Sequence, residues 1–242
     1  MKTATLYGFG KRGKIWFKHL VEEGYDVSII EPKLNLHAKQ LSDLYVVASS
    51  NDSHYKCYKE ISSNIIYDYG SILPIIIEKP VVLLEQNLSI FKHKNVIPAY
   101  SERFKFATQF IKNLNLKPTN LQLLFPTTWL DTGIHLLDLI EYLGYNEFVD
   151  IIPNYKSSAT VMPDCKFAYV KNTSLKLIIS VDNITYVLDL RRNLVDIYNN
   201  GKYNNGYDFG PQNTIPTLLK NMYSVREFNA NKRAIEYESS LT

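Results

Sequence analysis

Residues 3–14 read TATLYGFGKRGK, and this stretch decides the fold. TATLYGFG has the short apolar character of a buried strand, and KIWFKHLVEEG at 14–24 has helical periodicity and stops at Gly24. Between them Gly8, Gly10 and Gly13 stand in GxGxxG spacing. At such a strand-to-helix junction the first glycine permits the tight turn, the second lets a pyrophosphate approach the backbone, and the third allows close helix packing. The helix start adds free N–H groups and the positive end of the helix dipole. The pattern therefore predicts dinucleotide binding by Gly8, Phe9, Gly10, Lys11, Arg12 and Gly13, a plain glycine-rich turn being the alternative.

The next strand, VSII, ends at Glu31, which is 31 − 13 = 18 positions past the third glycine. A carboxylate there accepts hydrogen bonds from ribose hydroxyls and repels a 2′-phosphate. Glu31, Pro32 and Lys33 are thus expected at the adenosine end of the cofactor. NAD is the expected cofactor, with NADP the alternative because Lys33 and Arg12 are within sequence reach of a 2′-phosphate.

Outward from this core, YDVSII, LYVVASS, PIIIEKP and NVIPAY supply further strands, and SHYKCYKEISS supplies a helix. Continuous Val/Ile runs alternating with helices predict a doubly wound parallel sheet. After Arg103 the texture changes. FKFATQFIKNLN reads as one helix and TTWLDTGIHLLDLIEYLG at 127–144 as another. KFAYV, SLKLIISV, ITYVLDL and LVDIYN then form an antiparallel series with turns at KNT, DN and RRN. NNGKYNNGYDFG reads as tight turns or an exposed loop, and 215–237 as mostly helix. The expected organisation is a Rossmann domain over 1–118 and a smaller α+β domain with a mostly antiparallel sheet over 119–242.

Composition narrows the function classes. A chain of 242 residues with 45% hydrophobic and 21% charged residues folds, and a net charge of +3 gives no reason to expect nucleic acid or a membrane surface. Cys57 and Cys165 have no CxxC or Cys/His spacing, and His19, His37, His54 and His93 are scattered, so neither a disulfide framework nor a metal is expected. With no apolar signal core or spanning segment, a cytoplasmic location is expected.

Several motifs together resemble the glucose-fructose oxidoreductase, inositol dehydrogenase and MocA family: GFGKRG at 8–13, ASSNDSH at 48–54, EKP at 78–80, SERF at 101–104 and DTGIHLLD at 131–138. The resemblance implies that Ser49, Ser50 and Asn51 lie along the cofactor; His54 is a cofactor-binding candidate of the same loop motif, with packing at the helix start the alternative. It also implies that Lys79 lies near the nicotinamide, with Glu78 of the same motif a cofactor-binding candidate, that the Lys79–Pro80 bond is cis, and that an open sheet mediates a homodimer or higher homo-oligomer. The chain is shorter than typical members between Arg103 and Asp131, and PTTW replaces the glycines usual before Asp131.

Asp131, His135, Asp138 and Tyr142 fall four, three and four residues apart, so a regular α-helix would line them along one face among Leu130, Leu136, Leu137, Ile140 and Leu143. A solvated polar stripe is the competing reading. With the resemblance, the expected chemistry is reversible hydride transfer between nicotinamide and a secondary alcohol of a sugar, nucleotide sugar or cyclitol. His135 takes the hydroxyl proton, Lys79 stabilises the oxygen, and Asp131 binds a neighbouring hydroxyl or tunes His135. Tyr100, Arg103 and Trp129 are candidate substrate contacts, with packing the alternative for each; Asp138 is a candidate orienter of His135. The competing function is a non-catalytic nucleotide-binding regulator or scaffold.

Overall fold

The computed structural model describes residues 1–31, 41–69, 73–83, 85–125, 129–145, 152–153, 175–222 and 229–239. The chain divides into two compact units, 1–100 with 215–235, and 101–214 with 236–242. The expected boundary at 118/119 thus differs from the observed one. The helix just before it, α3 (Phe106–Asn113), is tied into the second unit: Ala107 N–H donates to Asn193 Oδ1 and Phe106 N–H to Gln212 Oε1.

The first unit is built on five parallel strands in the order β2-β1-β3-β4-β5: β1 (Lys2–Tyr7), β2 (Tyr25–Ile30), β3 (Leu44–Val47), β4 (Ile75–Ile77) and β5 (Val96–Pro98). Leu6, Val46, Val47, Ile75, Ile76 and Ile77 are wholly buried, as strands covered on both faces must be. Helix α1 (Lys11–Glu22) buries Gly13, Trp16, His19 and Leu20 at helical spacing, and α2 (His54–Tyr69) follows β3. The later segment 215–235 adds α5 (Ile215–Asn221) and most of α6 (Asn229–Ser239).

The second unit carries a six-stranded sheet in the order β11-β10-β9-β8-β6-β7: β6 (Asn120–Leu124), β7 (Ile152–Pro153), β8 (Lys176–Val181), β9 (Ile184–Asp189), β10 (Leu194–Asn199) and β11 (Lys202–Asp208). All of its pairings are antiparallel except β6 with β7. One face, including Leu121, Leu123, Leu177, Ile179, Leu188 and Val195, is buried. The expected fold class, a Rossmann-like sheet plus a smaller α+β unit, is the observed one.

Three local expectations change. The NNGKYNNGYDFG stretch is not mainly loop: Asn200 and Gly201, with φ of 50° and 74°, turn the chain, and Lys202–Asp208 then pairs with β10. Polar edge residues disguise that strand. Strand β6 was hidden by its short mixed run, NLQLL. The helix expected over 127–144 is a π-helical turn, Trp129–Gly133, leading into α4 (Ile134–Leu143). The strand expected at KFAYV, the KNT turn, Cys165, Pro32 and Lys33 lie outside the described residues.

Candidate functional site

Strand order in the first unit reverses between β1 and β3, so the loops leaving these two strands diverge and open a crevice at their carboxyl ends, where open α/β sheets take their ligands. A cleft of about 720 Å³ lies there. Of the predicted cofactor residues, Gly8, Gly10, Lys11, Arg12, Glu31, Ser49 and Ser50 line it. Ala48, Asp52, Ser53 and Lys56 line it too, beyond the residues singled out from sequence. The signal for them was present, because SSNDSHYK runs from the end of β3 into a helix start.

Each glycine has its own reason. Gly8 adopts φ of +90°, and a Cβ there would sit 2.5 Å from Ser49 Cα. A Cβ on Gly13 would lie 2.0 Å from Gly8 O, so only hydrogen allows α1 to close on the loop. At Gly10 a Cβ would meet nothing within 4 Å, and its φ of −71° is ordinary. Packing therefore explains Gly8 and Gly13 but not Gly10. Gly10 is also the N-cap of α1 and carries no side-chain cap. An uncapped helix start facing a glycine-lined cleft suits a phosphate group, and the residues present fit a dinucleotide.

Glu31 Oε2 accepts the Phe9 N–H at 3.2 Å, which ties the end of β2 to the glycine loop. The Phe9 ring stacks edge-on with Phe17 at 5.6 Å. Arg12 donates from Nε to Glu78 Oε1 at 2.6 Å, and the Trp16 indole N–H donates to the same oxygen at 2.6 Å. The bond uses Nε alone, and the Arg12 side chain stays 44% exposed at the cleft. Glu78 is 5% exposed, and its paired carboxylate fixes the start of the EKP segment.

In the loop after β3, the Ser53 Oγ lies 2.7 Å from Ser50 O and 2.8 Å from Ser49 Oγ; its one hydrogen donates to the carbonyl, leaving it to accept from the Ser49 hydroxyl. Asn51 is exposed on the short turn Asn51–Ser53 and does not line the cleft. His54 is completely buried beneath the loop, with Nδ1 2.8 Å from Pro80 O and Nε2 3.1 Å from Ser49 O. Burial pushes its pKa below the usual imidazole value, against the pull of the two carbonyls. The neutral ring carries one proton for two acceptors, and its position joins the serine loop to the EKP turn. Cys57 Sγ lies 3.7 Å from Ser49 Oγ, and burial raises the thiol's pKa, so it stays protonated.

Lys79 follows β4, is half-buried, and precedes a cis bond to Pro80. Tyr100, also in the first unit, is fully buried just beyond β5.

The remaining predicted residues belong to the second unit. Asp131 and Trp129 lie in the π turn, where backbone bonds close over five residues rather than four. The expected uniform α-helix therefore does not extend back to Asp131. His135, Asp138 and Tyr142 keep their common face on α4. His135 is 8% exposed and Asp138 fully buried, so the face is not a solvated stripe. Arg103 is itself 3% exposed and donates from Nε to both Asp138 oxygens at 2.9 Å, with Nη2 also bonded to Oδ1. The Tyr142 hydroxyl accepts from Gln109 at 2.9 Å, and its ring lies under Arg103 and Lys112. Arg103 and Asp138 thus form an interior ion pair, which accounts for both by packing within this unit.

No family model matches the chain, and no curated protein sequence does. Solved structures do match along nearly their whole length. The dehydrogenase MviM from Clostridium difficile superposes with a TM-score of 0.67 at 12% identity, covering 100% of this chain and 99% of that one. The UDP-N-acetylglucosamine 3-dehydrogenase GnnA from Acidithiobacillus ferrooxidans gives 0.65 at 12%, covering 99% and 96%. The WlbA dehydrogenase from Bordetella pertussis, in complex with NADH and UDP-GlcNAcA, gives 0.64 at 11%, covering 93% and 88%. The chain shares the fold of these dehydrogenases. Among the described residues no helix is long and apolar enough to cross a membrane, and no group of three or more His, Cys, Asp or Glu could hold a metal.

Proposed function

We propose that the chain is an NAD(P)-dependent oxidoreductase of the glucose-fructose oxidoreductase, inositol dehydrogenase and MocA family. It would act on a secondary alcohol or ketone of a sugar, nucleotide sugar or cyclitol, as a cytoplasmic homo-oligomer. One observation carries the reading: the cleft at the strand-order reversal is lined by Gly8, Gly10, Lys11, Glu31, Ser49 and Ser50, and Gly10 alone of the three motif glycines has room for a side chain. The named dehydrogenases of like fold support it, as does retention of Lys79, Asp131 and His135 together.

Bound nicotinamide would supply the hydride acceptor or donor. The chain's residues would do the rest. Gly10 and the start of α1 hold the phosphates, Ser49 and Ser50 lie along the cofactor, and Glu31 selects NAD by excluding a 2′-phosphate. Lys79 donates a hydrogen bond to the reacting oxygen and stabilises negative charge on it. His135 takes the hydroxyl proton in oxidation and returns it in reduction, and Asp131 holds a neighbouring hydroxyl.

The test measures NADH and NADPH binding by nicotinamide fluorescence, then turnover at 340 nm, the usual reporting wavelength, across polyols, sugars and nucleotide sugars. The expected result is tighter NADH than NADPH binding and turnover of at least one sugar-like substrate. Lys79→Ala is expected to spare dinucleotide affinity and suppress turnover. Binding without turnover of any substrate would instead favour the non-catalytic regulator.

A further inference from the structure

The turn carrying Lys79 is anchored on both sides, and one anchor comes from a distant part of the sequence. On the near side, Glu78 N–H donates to Val47 O at 2.9 Å while the Glu78 carboxylate is held by Arg12 and Trp16. Pro80 O sits 2.8 Å from His54 Nδ1. On the far side stands Asn231 of α6, fully buried and 150 positions from Val81. Its Oδ1 accepts the N–H groups of Val81 at 2.8 Å and Val82 at 3.3 Å, and its Nδ2 donates to Val82 O at 3.0 Å.

Val81 and Val82 lie outside any strand, so their backbone groups have no ladder. The Asn231 amide presents an acceptor and a donor side by side, as a neighbouring strand would. A carboxylate could accept but not donate, and an apolar side chain could do neither. Both valines are buried, at 0% and 1% exposed, so water does not satisfy these groups instead.

Resting on the oxidoreductase reading above, we infer that Asn231 is a positioning residue for Lys79. The anchors fall on Glu78, Pro80, Val81 and Val82, leaving Lys79 as the residue they frame. Asn231 does not line the nucleotide cleft; it acts through the backbone that follows Pro80. Fixing that backbone fixes where the lysine side chain begins, the kind of supporting shell a reactive group requires.

The experiment uses the full chain with NADH as the probe. It measures NADH affinity by fluorescence, amide exchange at Val81 and Val82, and acetylation of Lys79 by N-hydroxysuccinimidyl acetate, quantified by mass spectrometry with and without NADH. In the unsubstituted protein NADH is expected to slow Lys79 acetylation at least ~fivefold, as burial of a preorganised group beside a ligand implies. Asn231→Ala is expected to keep NADH affinity within ~threefold, speed exchange at the two amides at least ~tenfold, and reduce NADH protection of Lys79 below ~twofold. Asn231→Asp keeps the acceptor but sets a carboxylate against Val82 O, so its amide exchange and Lys79 protection are expected to fall between those of the unsubstituted and alanine proteins; undiminished Lys79 protection alongside faster amide exchange in this variant overturns the inference if the alanine variant fails to fold.

Undiminished Lys79 protection in Asn231→Ala with rapid amide exchange overturns the inference and leaves the functional reading standing. Loss of NADH binding in both variants also overturns it, because Asn231 would then hold the whole unit together. Absence of Lys79 protection in the unsubstituted protein, with NADH bound, removes the lysine from the cofactor's neighbourhood and overturns both.

Discussion

Gly10→Ala separates a binding role for the glycine loop from a packing role. The added Cβ would meet no atom within 4 Å, and the backbone φ of −71° suits alanine, so the fold bears no steric penalty. As N-cap of α1, Gly10 exchanges a favourable cap for a poor one, at a cost of roughly 0.5–1 kcal/mol. Alanine also restricts the unfolded chain, which offsets about 0.4–1 kcal/mol. The net stability change is therefore near zero, within about 0.5 kcal/mol, or at most about 2 °C in Tm for a chain of this size. The methyl group enters the space where a pyrophosphate would contact the backbone. NADH affinity is expected to fall at least about tenfold, equivalent to about 1.4 kcal/mol. Thermal unfolding without ligand and fluorescence titration with NADH give the two numbers. Unchanged affinity with unchanged stability would refute the argument, since the cleft would then take nothing at Gly10; a Tm loss well beyond the stated bound would show that packing had been misjudged.

The other predictions rest on separate contacts. Asp138→Asn removes the carboxylate that two Arg103 nitrogens bond in the interior and is expected to cost about 3–5 kcal/mol in urea unfolding; Arg103→Met with Asp138→Leu should recover most of that loss. Glu31→Gln can keep an acceptor for Phe9 N–H while removing the charge, so NADPH binding relative to NADH should rise about tenfold, matching roughly 1.4 kcal/mol of lost repulsion. For His54 the folded-state pKa lies below 6.5, so the unfolded chain binds the proton first. Its contribution is complete above about pH 6.5 and declines as pH falls toward the folded value, with a slope of at most about 1.4 kcal/mol per pH unit. Urea unfolding between pH 7.5 and 5 should show that decline, and His54→Gln should flatten it; an unaltered slope would remove His54 as the cause.

How far the sequence revealed the molecule depended on whether local chemistry or distant contacts set each feature. YDVSII and LVDIYN coincide with β2 and β10 because their apolar patterns and flanking turns are local signals. The glycine spacing likewise announced the cleft, since backbone conformation and close approach demand glycine itself. The π turn was illegible: TTWLDTG has no residue that distinguishes a five-residue turn from an α-turn, and tertiary packing decides it. Arg103 looked like a cleft residue, but its partner Asp138 lies 35 positions away, and no periodicity links them. Arg12 gave no sign in the sequence of its bond to Glu78, 66 positions away. Asn231 gave no sign at all in a polar helical tail.

The first unit's division between residues 1–100 and 215–235 has a consequence for biosynthesis. A ribosome delivers β1 through β5 long before α5 and α6, and by then residues 101–214 have already emerged. Val81 and Val82 must wait for Asn231 through that whole interval, so the nascent Rossmann unit stays unfinished throughout it. N-terminal domains ordinarily complete themselves first during translation; here neither unit is complete until the last helix has emerged, and arrested chains ending before residue 215 should be protease-sensitive around the EKP turn.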